Sequence, residues 1–235
     1  MSLNAVLGHR QQSAFLEVTD ALDQVANLLV GARKTEWEAG SLAERVAAIQ
    51  TVAAEMNSLA WRGEPLFEYQ PFSLPTDEVC RTWSFSVNED GETTSFTNDS
   101  LNEAEYRLVE GAVHLARDDY EDYGDAARIT AYEQASSTFS LGEGFTDSLA
   151  SRSVIVVSAV PLAIRRAVAI QAVEMLMCRD AHELAKQVLQ GRTTTSGEPG
   201  SAQTLRNVGG QAVWHPEALW LVRPYLKKQI RAERE

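Results

Sequence analysis

The residues of this 235-residue chain whose types and spacing suit chemistry are few and scattered. His182-Glu183 begins like the helix motif of a zinc protease, in which a second histidine four residues after the first binds the metal from the same face. Lys186 stands at that position, so the pair reads as a solvated helix surface. His9, His114 and His215 have no ligand pattern around them and read as isolated polar or core positions. Cys80 and Cys178 are 98 residues apart, which suits neither a disulfide framework nor the paired spacing of a zinc site. Both read as small buried hydrophobes. Asp118, Asp119, Glu121, Asp122 and Asp125 offer hard oxygen ligands, but not in the ordered Asp-x-Asp-x-Asp-Gly loop of a calcium site. They read as a charged, solvated face. Asn98-Asp99-Ser100 matches a glycosylation sequon and, without a signal peptide, reads as a turn. With no Gly-x-Ser-x-Gly elbow, no phosphate-cradling loop and no pairing of nucleophile and base, the expectation is no catalytic residue, no metal and no cofactor.

One late feature differs from its background. Residues 223–235 carry five basic side chains (Arg223, Lys227, Lys228, Arg231, Arg234) against two acidic ones, interleaved with Tyr225, Leu226 and Ile230. A basic amphipathic end on an acidic protein reads as a docking segment for a partner, with Arg223, Tyr225, Lys227, Lys228 and Arg231 as the docking residues. The alternative reading is a terminal helix that folds back on its own acidic body.

The whole chain has 21 Lys and Arg against 33 Asp and Glu, a formal net charge of −12. Nucleic-acid binding draws its strength from phosphate neutralisation by basic residues, so this balance argues against a simple DNA or RNA binder. At 44% hydrophobic and 23% charged the composition is that of a soluble globular protein. No apolar run approaches the roughly 18–20 residues needed to span a bilayer, and Met1–Arg10 lacks the pattern of a signal peptide. The expectation is a protein that stays in the cytoplasm where it is made, with no membrane partner.

Three zones of different hydrophobic period must position these residues. Phe15, Val18, Leu22, Val25 and Leu29 fall on one face of a helix ending near Gly31. Ala32–Gly40 is polar around a lone Trp37, a connection that covers the end of a helix pair. Ser41 and Glu44 form a capping-box pattern before a second stripe, Leu42, Val46, Ile49, Val52, Met56 and Leu59. After Trp61, prolines 65, 71 and 75 hold the backbone extended or turned. Trp83, Phe85 and Val87 then alternate with Thr82, Ser84 and Ser86, and Asp90-Gly91 predicts a hairpin returning through Glu92–Thr97. Further strands are expected in Tyr106–Leu115, Arg128–Tyr132, Thr138–Leu141 and Val154–Val157, five or six in all. Pro161 opens a helix apolar on most faces, and Asp180 caps another that stops at Gly191. Residues 191–203, rich in Gly, Ser and Thr, read as a linker. The fold class expected is α+β: a helical bundle (1–62 and 160–203) with a small antiparallel β-sandwich or barrel (63–159) inserted in it, and a C-terminal docking tail (204–235).

Taken in order, several of these segments resemble the tail tubular protein A family of short-tailed bacteriophages. The pieces are the helix pair ending in Ala54–Trp61, the aromatic Phe67–Tyr69, Ser73-Leu74-Pro75-x-Asp77, the run Thr138–Phe145, and Val154–Val157 followed by Val160-Pro161 and a long helix bearing Ala and Arg. Together they cover roughly residues 16–190. The resemblance implies a structural virion protein of the tail neck, made in the host cytoplasm. In that family the protein is a ring, expected to be a dodecamer, that joins the portal protein to the tail nozzle, adjoins the fibres and lets DNA pass without specific binding. A phage single-stranded DNA-binding or replication accessory protein is the alternative, and it would need a basic groove with stacking aromatics. Trp83, Phe85 and Phe139 instead sit at core spacing. An unrelated acidic enzyme is the remaining class.

Overall fold

A computed structural model of the chain describes residues 8–16, 28–98, 108–116, 125–142, 144–177 and 214–227, with Leu3, Ala5 and Val6. Two compact units divide it. The first contains Met1–Phe15, Ala60–Leu162 and Tyr225–Glu235; the second contains Leu16–Leu59 and Ala163–Pro224. Met1–Phe15, expected with the helices, thus belongs to the first unit, where the Phe15 ring packs on Phe72 with centroids 5.1 Å apart.

The first unit is built on one six-stranded antiparallel sheet, curled into a half-barrel. Its strands are β1 (Thr82–Ser86), β2 (Ser95–Thr97), β3 (Ala112–Leu115), β4 (Ala126–Glu133), β5 (Thr138–Leu141) and β6 (Ser153–Val157), in the spatial order β1-β6-β3-β4-β5-β2. Alternation decides which side chains turn inward. Val113 and Leu115 of β3, Ala127 and Ile129 of β4, Phe139 and Leu141 of β5 and Val154 and Val156 of β6 form one buried cluster with Phe96 and Leu149. Burying such side chains contributes about 1.5–3 kcal/mol each, which fixes the register, since a one-residue slip would turn the whole set outward.

The expected hairpin between 82–87 and 92–97 is not formed. Gly91 does close a turn, donating to Asn88 O at 3.2 Å. Yet β1 pairs with β6, Phe85 opposite Val154, and β2 pairs with β5, Phe96 opposite Phe139. The apolar run of β6 offers β1 five partners, a longer and more deeply buried ladder than the three-residue β2 provides. After the turn the chain therefore crosses to the far edge of the curled sheet.

A proline-containing segment, residues 61–81, lies beside the sheet in the same unit. It closes on itself through an isolated bridge between Pro65 and Thr76, and it binds the C-terminal segment through another between Trp61 and Leu226. Gly63 has φ +78°, and a Cβ there would run into Asp77 and the backbone of Glu78, so this turn requires glycine.

The second unit holds four helices among the described residues. The segment expected as a polar connection is a helix, α1 (Ala32–Ala39), whose Trp37 is fully buried; a single large aromatic buried from a polar stretch outweighs its weak pattern. Helix α2 (Leu42–Asn57) begins with the predicted capping box: Ser41 Oγ accepts from Glu44 N at 3.3 Å and Glu44 Oε2 accepts from Ser41 N at 2.9 Å. Ile49, Val52, Ala53 and Met56 make its buried stripe. Helix α3 (Leu162–Met177) starts one residue after Pro161 and buries Ile164 and the run Ala167–Val173 on most of its faces. Helix α4 (Pro216–Val222), with Pro216 in its first turn, continues into a 3₁₀ turn, Arg223–Tyr225. Most of the helix expected over 15–29, and all of the helix and linker expected over 180–203, lie outside the described residues. No helix among the described residues is long and apolar enough to cross a membrane.

Candidate functional site

Among the described residues of the second unit, a polar constellation gathers on Arg33, in the first turn of α1. Its Nη1 donates to Glu217 Oε2 at 2.7 Å, its Nε donates to Glu174 Oε1 at 3.2 Å, and its Nη2 lies 3.2 Å from His215 Nε2. One guanidinium therefore ties α1 to α3, which carries Glu174, and to the start of α4. The fork geometry of arginine suits this. His215 is the N-cap of α4: its Nδ1 accepts from Glu217 N at 3.2 Å, and its own N–H donates to the buried Gln171 Oε1 at 2.8 Å. Its Nε2 also lies 3.7 Å from Glu174 Oε1. Arg166 Nη2 approaches Glu217 from α3 at 3.8 Å. The hydrogen bond from Arg33 holds the Glu217 carboxyl below its ordinary value, with the Arg33, Arg166 and His215 charges adding to it. The Glu217 carboxylate conversely raises Arg33.

A second constellation sits in the first unit. His114, fully buried on β3, places Nδ1 3.1 Å from the Tyr69 hydroxyl, and its ring stacks on Phe67 at 4.0 Å between centroids. Gly8 closes over it so tightly that a Cβ there would press on His114 Cε1 and the Phe67 ring. This is a core histidine with a satisfied ring nitrogen, as its sequence position suggested. Nearby in sequence, His9 Nε2 lies 3.5 Å from Asp125 Oδ1 and Arg10 Nε pairs with the same carboxylate at 2.7 Å. Asp125 is the one member of the acidic run 118–125 that is described, and the partners named for it are His9 and Arg10 of the chain itself.

Cys80 is buried, and burial pushes its thiol up to about 12, so at neutral pH it is a thiol and not a nucleophilic thiolate. Among the described residues, no group of three His, Cys, Asp or Glu side chains is gathered as a metal site would gather them. Cys178 and the His182-Glu183-Lys186 stretch lie outside the described residues.

The basic C-terminal residues separate. Arg223 is exposed at the end of α4 in the second unit. In the first unit, Tyr225 O accepts from Arg62 N at 2.9 Å, Lys227 N donates to Ala60 O at 2.7 Å, and Lys227 Nζ lies 3.5 Å from Glu64. Lys228 and Arg231 lie outside the described residues. What the sequence reading missed is the Arg33–Glu174–His215–Glu217 cluster, whose other members lie 141 to 184 residues from Arg33 along the chain. The legible signal was His215-Pro216-x-x-x: a side-chain acceptor before a proline that opens a helix.

No protein-family model, no curated protein and no solved structure matches this chain.

Proposed function

We propose that the chain is a head-to-tail adaptor of a short-tailed bacteriophage: a structural virion protein whose copies form a ring, a dodecamer by the resemblance, between the portal protein and the tail nozzle. The observation that carries this reading is the interrupted architecture. A sheet unit, Ala60–Leu162, is inserted in sequence between two helical stretches that join in one unit, Leu16–Leu59 and Ala163–Pro224, and the segments that resemble the family follow the same order. In this reading the helical unit grips the portal and the sheet unit faces the nozzle and the fibres.

The net charge of −12 fits such a channel. A negatively charged lumen does not bind phosphate, so DNA leaving the capsid passes without adhering. Of the aromatics at core spacing, Phe139 is fully buried and stacked on Phe96 at 4.6 Å, and the partly buried Trp83 and Phe85 pack against the same cluster. That observation favours the adaptor over the DNA-binding reading.

Negative-stain imaging of the purified chain, alone and mixed with a portal protein from the same source, tests the proposal. Rings in either preparation are expected. A strict monomer in both would overturn it, and a salt-sensitive gel shift with single-stranded DNA would put the alternative in its place.

A further inference from the structure

Arg33, Arg62, Arg128 and Arg152 each hold a carboxylate oxygen, at 3.2, 3.1, 2.6 and 2.8 Å. Arg45, one turn into α2, is different. Its Nε and Nη1 are sealed from solvent and find no acceptor among the described residues. The guanidinium lies instead against Trp37 of α1, 5.9 Å from the ring centroid. Trp37 is fully buried, and its Nε1 has no acceptor either. Gly40, between the two helices, brings the backbone against both residues. A Cβ there would lie 3.5 Å from Arg45 Cγ, 3.4 Å from Trp37 O and 3.2 Å from Leu176 Cδ1 of α3. Two neighbouring helices of the second unit thus gather three buried donor nitrogens with no oxygen to receive their hydrogens.

Each part of this arrangement asks for an anion. Buried donors left unbonded are costly, and a buried cation without a counter-charge is more so. The N-terminal end of a helix adds positive potential where Arg45 sits, so α2 itself does not neutralise it. The adjacent carboxylate, Glu44, is turned back on the helix cap, with Oε2 2.9 Å from Ser41 N and 2.7 Å from Ser41 Oγ. Indole and guanidinium groups donate hydrogen bonds and accept none, so the group that matches them is all acceptor. Arg45 as a residue is only half-buried, which lets such a group reach its head from solvent. We propose that the corner formed by Trp37 and Arg45 binds a small oxyanion of the carboxylate or phosphate type, held by Trp37 Nε1–H and the Arg45 guanidinium. The site is independent of the adaptor reading and goes beyond it.

The test follows the melting temperature and isothermal titration of the full chain as sodium phosphate or sodium acetate replaces chloride at constant ionic strength. The wild type should melt higher as the oxyanion rises, by the mass action of a ligand that binds the folded state. Arg45→Met keeps the apolar stem and loses the charge and its donors, so it should bind about tenfold more weakly or worse. In chloride alone it should melt at or above the wild type, because an apolar replacement no longer buries an unpaired charge. The oxyanion should reverse that order. Trp37→Phe keeps a ring and loses the N–H, and should weaken binding several-fold, while Arg223→Met, at an exposed arginine on another helix, should respond as the wild type does. Circular dichroism establishes that each variant is folded. Should Arg45→Met fail to fold, Arg45→Lys takes its place: it keeps the charge without Nε and Nη1, and should also bind more weakly. A response to phosphate alone assigns the site to a phosphate-bearing ligand, to acetate alone to a carboxylate, and to both to either group. A wild type indifferent to both anions, or a response that Arg45→Met or Arg45→Lys leaves unchanged, would overturn the site.

Discussion

Phe85 and Phe96 sit on the two outermost strands of the sheet, β1 and β2, yet their ring centroids are 6.1 Å apart. Strands at opposite edges of a flat six-stranded sheet would be separated by five spacings of about 4.8 Å. The contact is possible because the sheet curls, and Phe139, 6.3 Å from Phe85 and 4.6 Å from Phe96, fills the space between. Aromatic packing across the mouth of the half-barrel thus stands in for the backbone ladder that would close a full barrel.

Replacing Phe139 by Ala should therefore be costly. Phe139 is fully buried and touches Phe85, Phe96 and Tyr132, and truncating a core phenylalanine costs about 3–5 kcal/mol. Urea unfolding should show a loss in that range for Phe139→Ala, and a smaller one for the half-buried Phe85→Ala. Equal losses would mean that the edge contact matters as much as the core.

The Arg33 clasp gives a pH signature. The Glu217 carboxyl is held below its ordinary 4.5 chiefly by the hydrogen bond from Arg33. A depressed carboxyl contributes stability that is fully present above the unfolded value and is lost as pH falls through the folded one. Glu217→Gln should accordingly destabilise by a constant amount above pH 4.5, and the difference from wild type should shrink as the solution is made more acidic than that. Since Glu217 is 38% exposed, the plateau should be only about 0.5–1 kcal/mol. Guanidinium melts from neutral pH to pH 3 measure it.

Cys80 should behave in the opposite sense. Its thiol, raised to about 12 by burial from an ordinary 9.0, favours the folded state below pH 9, and that contribution is lost as pH rises from 9 towards 12. In a Cys178→Ser background, a thiol reagent at pH 8 should label Cys80 only as fast as the protein opens. Labelling at the rate of a free thiol would contradict the burial.

How far the sequence revealed this fold depended on how local each signal was. The capping box at Ser41 and Glu44, the β-branched run of β6 and the apolar α3 are contained in a few neighbouring residues, and they form where the pattern put them. The 82–97 hairpin failed because Asp90-Gly91 specifies a turn and nothing more. Which strand Phe85 faces is settled by Val154, 69 residues further on, and no local period encodes that. The helix Ala32–Ala39 was missed for the same reason, since what sets that polar stretch apart is the burial of Trp37, which depends on what packs over it. The clasp was the least legible of all: Arg33, Glu174 and Glu217 are each ordinary surface residues until three helices bring them together.

The C-terminal segment supplies the sharpest remaining test. Its basic residues suggested either a docking appendage or a terminal helix folded back on its own body; Trp214, Ala218 and Val222 are buried, His215 and Glu217 hold the clasp, and Leu226 bridges to Trp61. Two truncations separate these roles. Ending the chain after Lys227 removes Lys228, Arg231 and Arg234 but none of these contacts, so the thermal transition should stay cooperative and nearly unshifted. Ending it after Val213 strips Trp214 and Val222 from the core, at about 1.5–3 kcal/mol for each large apolar side chain, and releases Arg33 from Glu217. Against a typical total of roughly 5–15 kcal/mol, that loss should lower the melting temperature sharply or leave the second unit without a cooperative transition. If the shorter chain instead melts like the full one and fails only in binding the portal, residues 214–227 are a docking appendage and not part of the fold.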